Sequence, residues 1–149
     1  QNGWHMKKIL IICLSLLLTG IGCKDENPTI GQAPLLKTKW ILSYIRDTKT
    51  KAKIAYPDDA ARKISINFTD SLNTLFFTGV CNGGRAKYSF SYMTSSITIS
   101  DLFTTQIGCN YDQWEIYTGG NLMDAYRYKI IGDTLIIYSK GSYNLFFSR

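Results

Sequence analysis

The chain has 149 residues, and its 17 Lys/Arg against 11 Asp/Glu give a formal net charge of +6. Hydrophobic residues make up 45% and charged residues 19%, a balance that is typical of a folded domain and excludes a disordered chain. The charges are scattered along the sequence, which indicates an ordinary solvated surface, and we expect no nucleic-acid partner. The single histidine, His5, precedes the first methionine, Met6, so the exported chain is expected to lack histidine chemistry.

The N-terminal segment predicts export. Residues 1–5 precede Met6 and are interpreted as upstream or non-native residues. Residues 6–22 contain two lysines, an apolar run over 9–18 that is shorter than a membrane-spanning helix, and then small residues, which is the pattern of a signal peptide. The stretch "TGIGCKDE" resembles a bacterial lipobox, which implies that Cys23 is lipidated and becomes the mature N-terminus. A secreted protein with an unmodified Cys23 is the alternative.

The polar segment 23–35 predicts a tether between the lipid and the folded domain, because it carries Pro28 and Pro34 and has no periodic apolar pattern. The "KDE" directly after Cys23 resembles the acidic export signal of Bacteroidetes lipoproteins. We therefore expect an exported, outer-membrane lipoprotein, with display on the cell surface as a further option. A charged linker without a signalling role is the simpler interpretation of "KDE".

From residue 36 onward, alternation of apolar and polar residues predicts a β-rich domain over 36–149. In the first segment the alternation places Trp40, Leu42 and Tyr44 on one face. Two tight turns are predicted at 132–133 and 140–142, and they divide the C-terminal segment into three strands. The segments interpreted as strands are "TKWILSYI", "KISINF", "NTLFFTG", "AKYSFSY", "SSITIS" and "YRYKIIGDTLIIYSKGSYNLFF".

One segment, "NYDQWEIYTGGNLMDAY", predicts a helix, with Asn110 as its cap and with acidic residues in its first turn. Gly119 and Gly120 each cost about 1 kcal/mol relative to alanine, so the helix is expected to end or break there. The predicted fold is mainly β, a small antiparallel β-barrel or strongly curved sheet with the helix covering one end. The expected buried stripe of the helix consists of Trp114, Ile116, Tyr117, Leu122 and Met123.

Four motifs in the expected order resemble the META/HslJ-like domain family over residues 36–147. They are the tryptophan strand "KWILSYI", the Gly-x-Cys-Asn segment in "FTGVCNGGRAKYSF", "TTQIGC" with the family's Thr-x-Met-Ala-Cys spacing, and the hairpin "YKIIGDTLIIY". The chain departs from the family in having Gly83 after Cys-Asn, where arginine is common, and in the glycine pair 119–120. The resemblance implies a small β-rich envelope or secreted domain, loosely associated with stress response, antibiotic resistance and secretion, and without established catalytic residues.

Export would leave two of the four cysteines free to pair in the mature domain. Cys13 leaves with the signal peptide and Cys23 would carry lipid, so Cys81 and Cys109 remain as an even pair in an oxidising compartment. We expect them to form a disulfide, which stabilises a fold of this kind by roughly 3 to 4 kcal/mol in the chain-entropy model.

Three other roles for Cys81 are weaker. As a nucleophile, Cys81 would lack a histidine base. As metal ligands, the two cysteines supply only half of a tetrahedral zinc site. As a phosphate loop, "GVCNGGRAK" lacks the Gly-Lys-Ser/Thr end. The neighbouring glycines are expected to supply positive φ for a turn or bulge, with Asn82 in the same role. We expect no catalytic, metal-binding or cofactor-binding residues.

Two other patterns have a functional and a structural interpretation. Asp101, Asp112 and Glu115 lie among aromatic residues as glycosidase carboxylates do, but Asp112 and Glu115 are explained more simply by the helix N-terminus. "YRYK" alternates aromatic and basic residues as a nucleic-acid-binding strand does, but two inward-facing tyrosines, Tyr126 and Tyr128, explain it as well.

The sequence therefore predicts a non-enzymatic, monomeric envelope lipoprotein that acts in interaction, envelope maintenance or stress tolerance. Its expected partners are the membrane, through the lipid anchor, and an envelope protein or a small apolar ligand. The first alternative is a carrier of a small apolar ligand in a barrel interior, and the second is an enzyme of unrecognised type. A carrier needs a large apolar cavity, an enzyme needs convergent polar groups, and an interaction protein needs an exposed apolar patch.

Overall fold

A computed structural model describes residues 34–60 and 62–149. The predicted signal peptide, the lipidation site Cys23 and the tether as far as residue 33 lie outside the described residues. Within the described part of the chain, no helix combines the length and apolarity that a membrane span requires.

The described residues form nine strands, one α-helix and a short 3-10 turn at Ser71–Asn73. In chain order the elements are β1 (Lys39–Asp47), β2 (Lys53–Ala55), β3 (Ser65–Thr69), β4 (Thr74–Thr78), β5 (Gly83–Ser91), β6 (Ser96–Thr104), α1 (Asp112–Met123), β7 (Ala125–Ile131), β8 (Thr134–Ser139) and β9 (Tyr143–Ser148).

Eight of the strands close into an antiparallel barrel. Each of β3 to β9 pairs with its neighbour in chain order, and β1 pairs with both β3 and β9. The ninth strand, β2, lies outside the closed ring and pairs with the second half of β1, on the edge whose first half pairs with β3. The prediction of a small antiparallel barrel with one helix is confirmed.

The barrel interior is filled by apolar side chains from alternate strand positions. Trp40, Phe68 and Phe147 are the largest fully buried residues. Fully burying a side chain of this class contributes about 1.5 to 3 kcal/mol, so the barrel interior supplies most of the hydrophobic stabilisation. The other fully buried large side chains are Leu35, Leu42, Ile45, Ile64, Ile66, Leu75, Ile97, Ile99 and Leu122.

A β-bulge in β1 corrects the predicted faces of this strand. The register against β9 shifts between Leu42 and Tyr44, so the residues after the bulge exchange faces. Ile45 is fully buried, whereas Tyr44 is half-buried and stacks on Phe146 with ring centroids 4.3 Å apart.

A second bulge, in β7, corrects the prediction for "YRYK". The register against β8 shifts between Ala125 and Arg127. Tyr128 is buried as expected, but Tyr126 is 46% exposed, so only one of the two tyrosines faces the core.

The helix differs from its prediction at both ends. It continues through Gly119 and Gly120 to Met123, and its N-cap is Tyr111, which makes no side-chain capping bond. The prediction of Asn110 as the cap and of a break at the glycines is wrong. A Cβ on Gly119 would lie 3.2 Å from Leu102 Cδ2, so contact with β6 accounts for the glycine and supports the helix around it.

Leu35, assigned to the end of the tether by sequence, lies in the core. Its side chain is fully buried and its carbonyl accepts a hydrogen bond from Trp40 Nε1 at 3.2 Å. Leu36 forms an isolated bridge with Phe68. Both leucines therefore pack with the barrel.

Candidate functional site

Three chain segments meet at one end of the barrel: the β4–β5 connection, the loop after β6, and the first turns of α1. Cys81 in the first segment and Cys109 in the second are joined by a disulfide, with their Cα atoms 6.4 Å apart and a sequence separation of 28 residues. This is the pairing that the cysteine count predicts. It fixes the two loops beside the helix.

Asn82 connects these segments through its side-chain amide. Its Nδ2 donates to the Ile107 carbonyl at 2.9 Å and to Glu115 Oε2 at 2.6 Å. Its Oδ1 accepts from the Ile107 N–H at 2.7 Å and from Thr105 Oγ1 at 2.9 Å. These bonds use both donors and both acceptor positions of the amide, so Asn82 has a structural role and no free position for a ligand.

Glu115 is a buried carboxylate, only 9% exposed, on the face of α1 that meets the β4–β5 connection. Its Oε1 accepts hydrogen bonds from the main-chain N–H of Cys81 at 2.6 Å and of Asn82 at 3.1 Å, and its Oε2 accepts from the Asn82 amide. Within the described part of the chain it has no ion-pair partner. Charge-assisted hydrogen bonds therefore offset its desolvation.

This role of Glu115 corrects the simpler interpretation from sequence. Glu115 was expected to serve the N-terminus of its own helix, but its carboxylate joins the helix to residues 81 and 82. Asp112, one turn earlier, is exposed.

Two glycines in this region are required because atoms of neighbouring segments lie too close for a side chain. A Cβ on Gly79 would overlap the Glu115 carboxylate, and a Cβ on Gly84 would overlap the main-chain carbonyl of Phe103. Of the described glycines, Gly132 is the one with positive φ, at 55°. The expectation of positive φ near Cys81 is therefore wrong. Glycine is needed at positions 79 and 84 because there is no space for a Cβ, and not because of the backbone conformation.

A second buried amide holds the other half of α1. Asn121 is 6% exposed, and its Nδ2 donates to the Tyr117 carbonyl at 2.7 Å. Its Oδ1 accepts from Ser139 Oγ at 3.2 Å and from the Tyr143 N–H at 2.9 Å. Asn121 thus joins the helix to β8 and β9.

The buried face of α1 is mostly polar or small, and this corrects the predicted apolar stripe. Leu122 is fully buried, but Ile116 is 68% and Met123 is 42% exposed. Trp114 and Tyr117 are half-buried. The buried helix residues are Glu115, Thr118, Gly119, Asn121 and Leu122. Sequence reasoning missed Asn82, Glu115 and Asn121 as an interface, because isolated polar residues carry no periodic signal of burial.

The candidate catalytic carboxylates do not form a common site. Asp101 is exposed on the outside of β6, with its Oδ2 4.0 Å from Lys87 Nζ. Asp112 is exposed, and the carboxylate of Glu115 is occupied by hydrogen bonds.

The nearest arrangement to a metal site combines Cys81, Cys109 and Glu115, whose potential ligand atoms lie within 4.8 Å of one another. Both sulfur atoms are used in the disulfide, so neither is a thiolate that could bind a metal ion. The oxidised protein therefore does not offer this trio as a metal site.

A tyrosine pair borders the helix N-terminus. Tyr56 packs edge-on against Trp114, with ring centroids 5.1 Å apart, and burial raises the pKa of Tyr56. Tyr111 donates its hydroxyl hydrogen to Asp59 Oδ2 at 2.8 Å, and this bond to a carboxylate raises the pKa of Tyr111. Both phenols therefore stay protonated and act as packing or hydrogen-bonding groups at neutral pH.

A cleft of about 570 Å³ lies between α1 and the end of β6 with its following loop. We call it the α1–β6 cleft. Three of its apolar side chains are exposed: Ile107 by 60%, Ile116 by 68% and Met123 by 42%. The described residues that line the cleft are Phe77, Asn82, Leu102, Thr104, Thr105, Gln106, Ile107, Gly108, Asp112, Glu115, Ile116, Gly119, Gly120 and Met123.

The comparisons with known proteins identify the family and the fold. The META domain family model matches residues 33–149. No curated protein is significantly similar to the chain. A solution NMR structure of a protein from Burkholderia xenovorans has a TM-score of 0.65 and 18% identity, covering 77% of this chain and 83% of that one.

A second solved structure, a DUF4847 family protein from Bacteroides vulgatus ATCC 8482, has a TM-score of 0.58 and 14% identity, covering 76% of this chain and 93% of that one. At such low identity the two structures establish similarity of fold alone. With residues 33–149 matched, the chain belongs to the META domain family.

Proposed function

We propose that this protein is a non-enzymatic envelope lipoprotein whose META domain acts as an interaction module. One observation carries the proposal: the Asn82 amide and the Glu115 carboxylate are satisfied inside the protein, whereas apolar side chains are exposed around the α1–β6 cleft. A general acid or base must reach the substrate, and the carboxylate of Glu115 is buried and engaged in three hydrogen bonds within the protein. Adjacent exposed apolar side chains are typical of interaction sites.

The packing of the barrel interior weakens the carrier alternative. Trp40, Phe68 and Phe147 fill the space in which an apolar ligand would have to lie. The α1–β6 cleft is outside this core and is partly open to solvent. Binding therefore involves the end of the barrel and the helix rather than the barrel lumen.

The proposed anchor rests on the lipobox-like "TGIGC" and is tested by mass spectrometry of the mature protein. The expected result is a diacyl or triacyl modification on Cys23 and membrane association of the protein. Cys23→Ser is the control and should release the protein from the membrane. An unmodified, processed N-terminus would refute the anchor.

The proposed position at the cell surface rests on "KDE" after Cys23. Protease treatment of intact cells should remove the folded domain, while a periplasmic marker stays intact. Complete protection of the domain until the outer membrane is permeabilised would show an inward-facing protein.

The interaction role is tested by photo-crosslinking in living cells. A photoreactive amino acid at Ile116, on the exposed rim of the α1–β6 cleft, should give a discrete adduct with an envelope component. The same amino acid at Ser71, in the turn between β3 and β4 at the opposite end of the barrel, is the matched control. Equal labelling from both positions, or none from Ile116, would contradict an interaction site at the cleft.

A further inference from the structure

The edge of β6 that faces β7 is largely unpaired. β6 pairs with β5 from Ser96 to Thr104, but its ladder with β7 contains one pair, Ser96 with Arg127. In the described part of the chain, the β7-side edge of residues 98–104 therefore has no strand partner. An unpaired edge presents main-chain N–H and C=O groups to which another strand can bind.

Leu102 and Thr104, from the second half of this edge, line the α1–β6 cleft, and two residues of its helical side are glycines. Gly119 and Gly120 both line the cleft. Contact with Leu102 accounts for Gly119, but a Cβ on Gly120 would have no atom within 4 Å. Glycine inside a helix costs about 1 kcal/mol relative to alanine, and no contact among the described residues requires glycine at position 120. The missing side chain leaves room for an occupant.

The charge of the cleft differs from that of the whole chain. Asp112 supplies its one exposed carboxylate, since that of Glu115 is buried and hydrogen-bonded, and none of its described lining residues is lysine or arginine. The chain as a whole has a net charge of +6. Charge complementarity therefore favours a basic occupant, while Ile107, Ile116 and Met123 favour apolar side chains.

We propose that the α1–β6 cleft binds an extended basic peptide segment of a partner protein, which adds as a strand to the free edge of β6. Side chains of an extended segment alternate in direction, so every second one can contact the apolar rim formed by Ile107, Ile116 and Met123. A basic side chain at the end of the segment can reach the carboxylate of Asp112, which lies one turn before Ile116 on the same face of α1. The segment would occupy the space left by Gly120. This inference rests on the proposed interaction role and specifies the chemistry of the partner.

The test uses the full-length protein in detergent and a fluorescent peptide, Val-Lys-Val-Lys-Val-Lys, with blocked ends. Fluorescence anisotropy measures its binding, and NMR follows the main-chain amides of Ile99 and Thr104, whose N–H groups point away from β5. The expected result is saturable binding that weakens with salt and shifts these amides. The peptide with glutamate in place of lysine should bind at least about tenfold more weakly, as should a peptide methylated on alternate main-chain nitrogens.

Gly120→Leu is the decisive variant, because a Cβ at this position meets no described atom within 4 Å and the added side chain can occupy the cleft. We expect it to lower the peptide affinity by at least about tenfold while thermal stability is retained or increased. Ser71→Leu adds the same side chain at the opposite end of the barrel and should leave binding unchanged.

The possible outcomes separate this inference from its alternatives. Absence of binding, or binding that Gly120→Leu leaves unchanged, overturns it. Equal binding of the methylated peptide overturns strand addition, and self-association that Gly120→Leu abolishes overturns a peptide partner in favour of a second copy. Failure of this test with a positive crosslink at Ile116 would leave the interaction role standing, so the two proposals can fail separately.

Discussion

The barrel interior and the interface between α1 and the barrel are stabilised by different forces. In the interior, large apolar side chains such as Trp40, Phe68 and Phe147 are removed from water. At the interface, Glu115 and Asn121 form hydrogen bonds with loops and strands, and Leu122 is the fully buried apolar residue of the helix.

The difference lies in how each region responds to change. Hydrophobic burial is non-directional and distributed over many residues, so no single contact determines whether the barrel forms. A buried polar interface depends on complete pairing, because one missing partner leaves the other group desolvated and unsatisfied. We therefore expect the interface to be unusually sensitive to single polar substitutions.

The largest expected effect comes from Glu115→Ala. This change removes the acceptor for two main-chain N–H groups and for the Asn82 amide, all in a buried setting. The free energy of unfolding should fall by about 3 to 5 kcal/mol. Urea denaturation followed by circular dichroism, with the disulfide intact, measures it.

Two further substitutions sharpen this result. Glu115→Gln keeps the shape but turns an amide donor toward Asn82 Nδ2, so we expect an intermediate loss of about 1 to 3 kcal/mol. Asp112→Ala removes an exposed carboxylate from the same part of the helix and should cost less than about 1 kcal/mol. If the losses from Glu115→Ala and Asp112→Ala were equal, the contrast between interface and surface would be wrong.

Removing the disulfide with Cys81→Ser and Cys109→Ser should lower the free energy of unfolding by roughly 3 to 4 kcal/mol, because the unfolded chain regains the freedom of the closed loop. Cys81 also donates its N–H to Glu115, so the loss should not be additive with Glu115→Ala. A double-mutant cycle measures the coupling. Full additivity would mean that the disulfide and the carboxylate act independently.

Asn121→Ala tests the second anchor of the helix. It removes neutral partners of Ser139, Tyr143 and Tyr117, and we expect a loss of about 1 to 3 kcal/mol, smaller than that from Glu115→Ala. Hydrogen exchange should show faster opening of α1 with little change in the ladder between β4 and β5. Uniform loss of protection throughout the barrel would show that helix and barrel unfold as one unit.

A smaller effect than that of Asn121→Ala is expected in the barrel interior at alkaline pH. Burial raises the pKa of Tyr128 to about 12, whereas an unfolded tyrosine ionises near 10.0. Between these values the unfolded chain loses a proton that the folded chain keeps, so stability falls as pH rises. We expect a loss of about 1 kcal/mol near pH 11 from this residue.

Urea unfolding at pH 8 and pH 11 measures this alkaline loss. Tyr128→Phe should reduce the loss but not abolish it, because burial also raises the pKa values of Tyr56 and Tyr88. An identical pH dependence in Tyr128→Phe and the parent chain would show that Tyr128 makes no contribution.

The parts of the fold predicted from sequence are those with a local signal. Alternating residues such as Ile64, Ile66 and Phe68 predict buried strands, and they are buried. The turn at 132–133 and the cysteine pair are readable because turn residues and cysteine counts have few interpretations. The exchange of faces at Tyr44 was not predictable, because the bulge depends on the register with β9 at the other end of the chain.

By itself, the sequence determined a β-rich domain, its hairpins and the pairing of Cys81 with Cys109, because period, turn chemistry and cysteine number are properties of nearby residues or of simple counts. Only the tertiary structure decided the roles of Asn82, Glu115 and Asn121 and the free edge of β6. A polar residue becomes an anchor or a surface group according to the distant main-chain groups that fold against it. Those contacts exist only after the barrel closes and the helix packs against it.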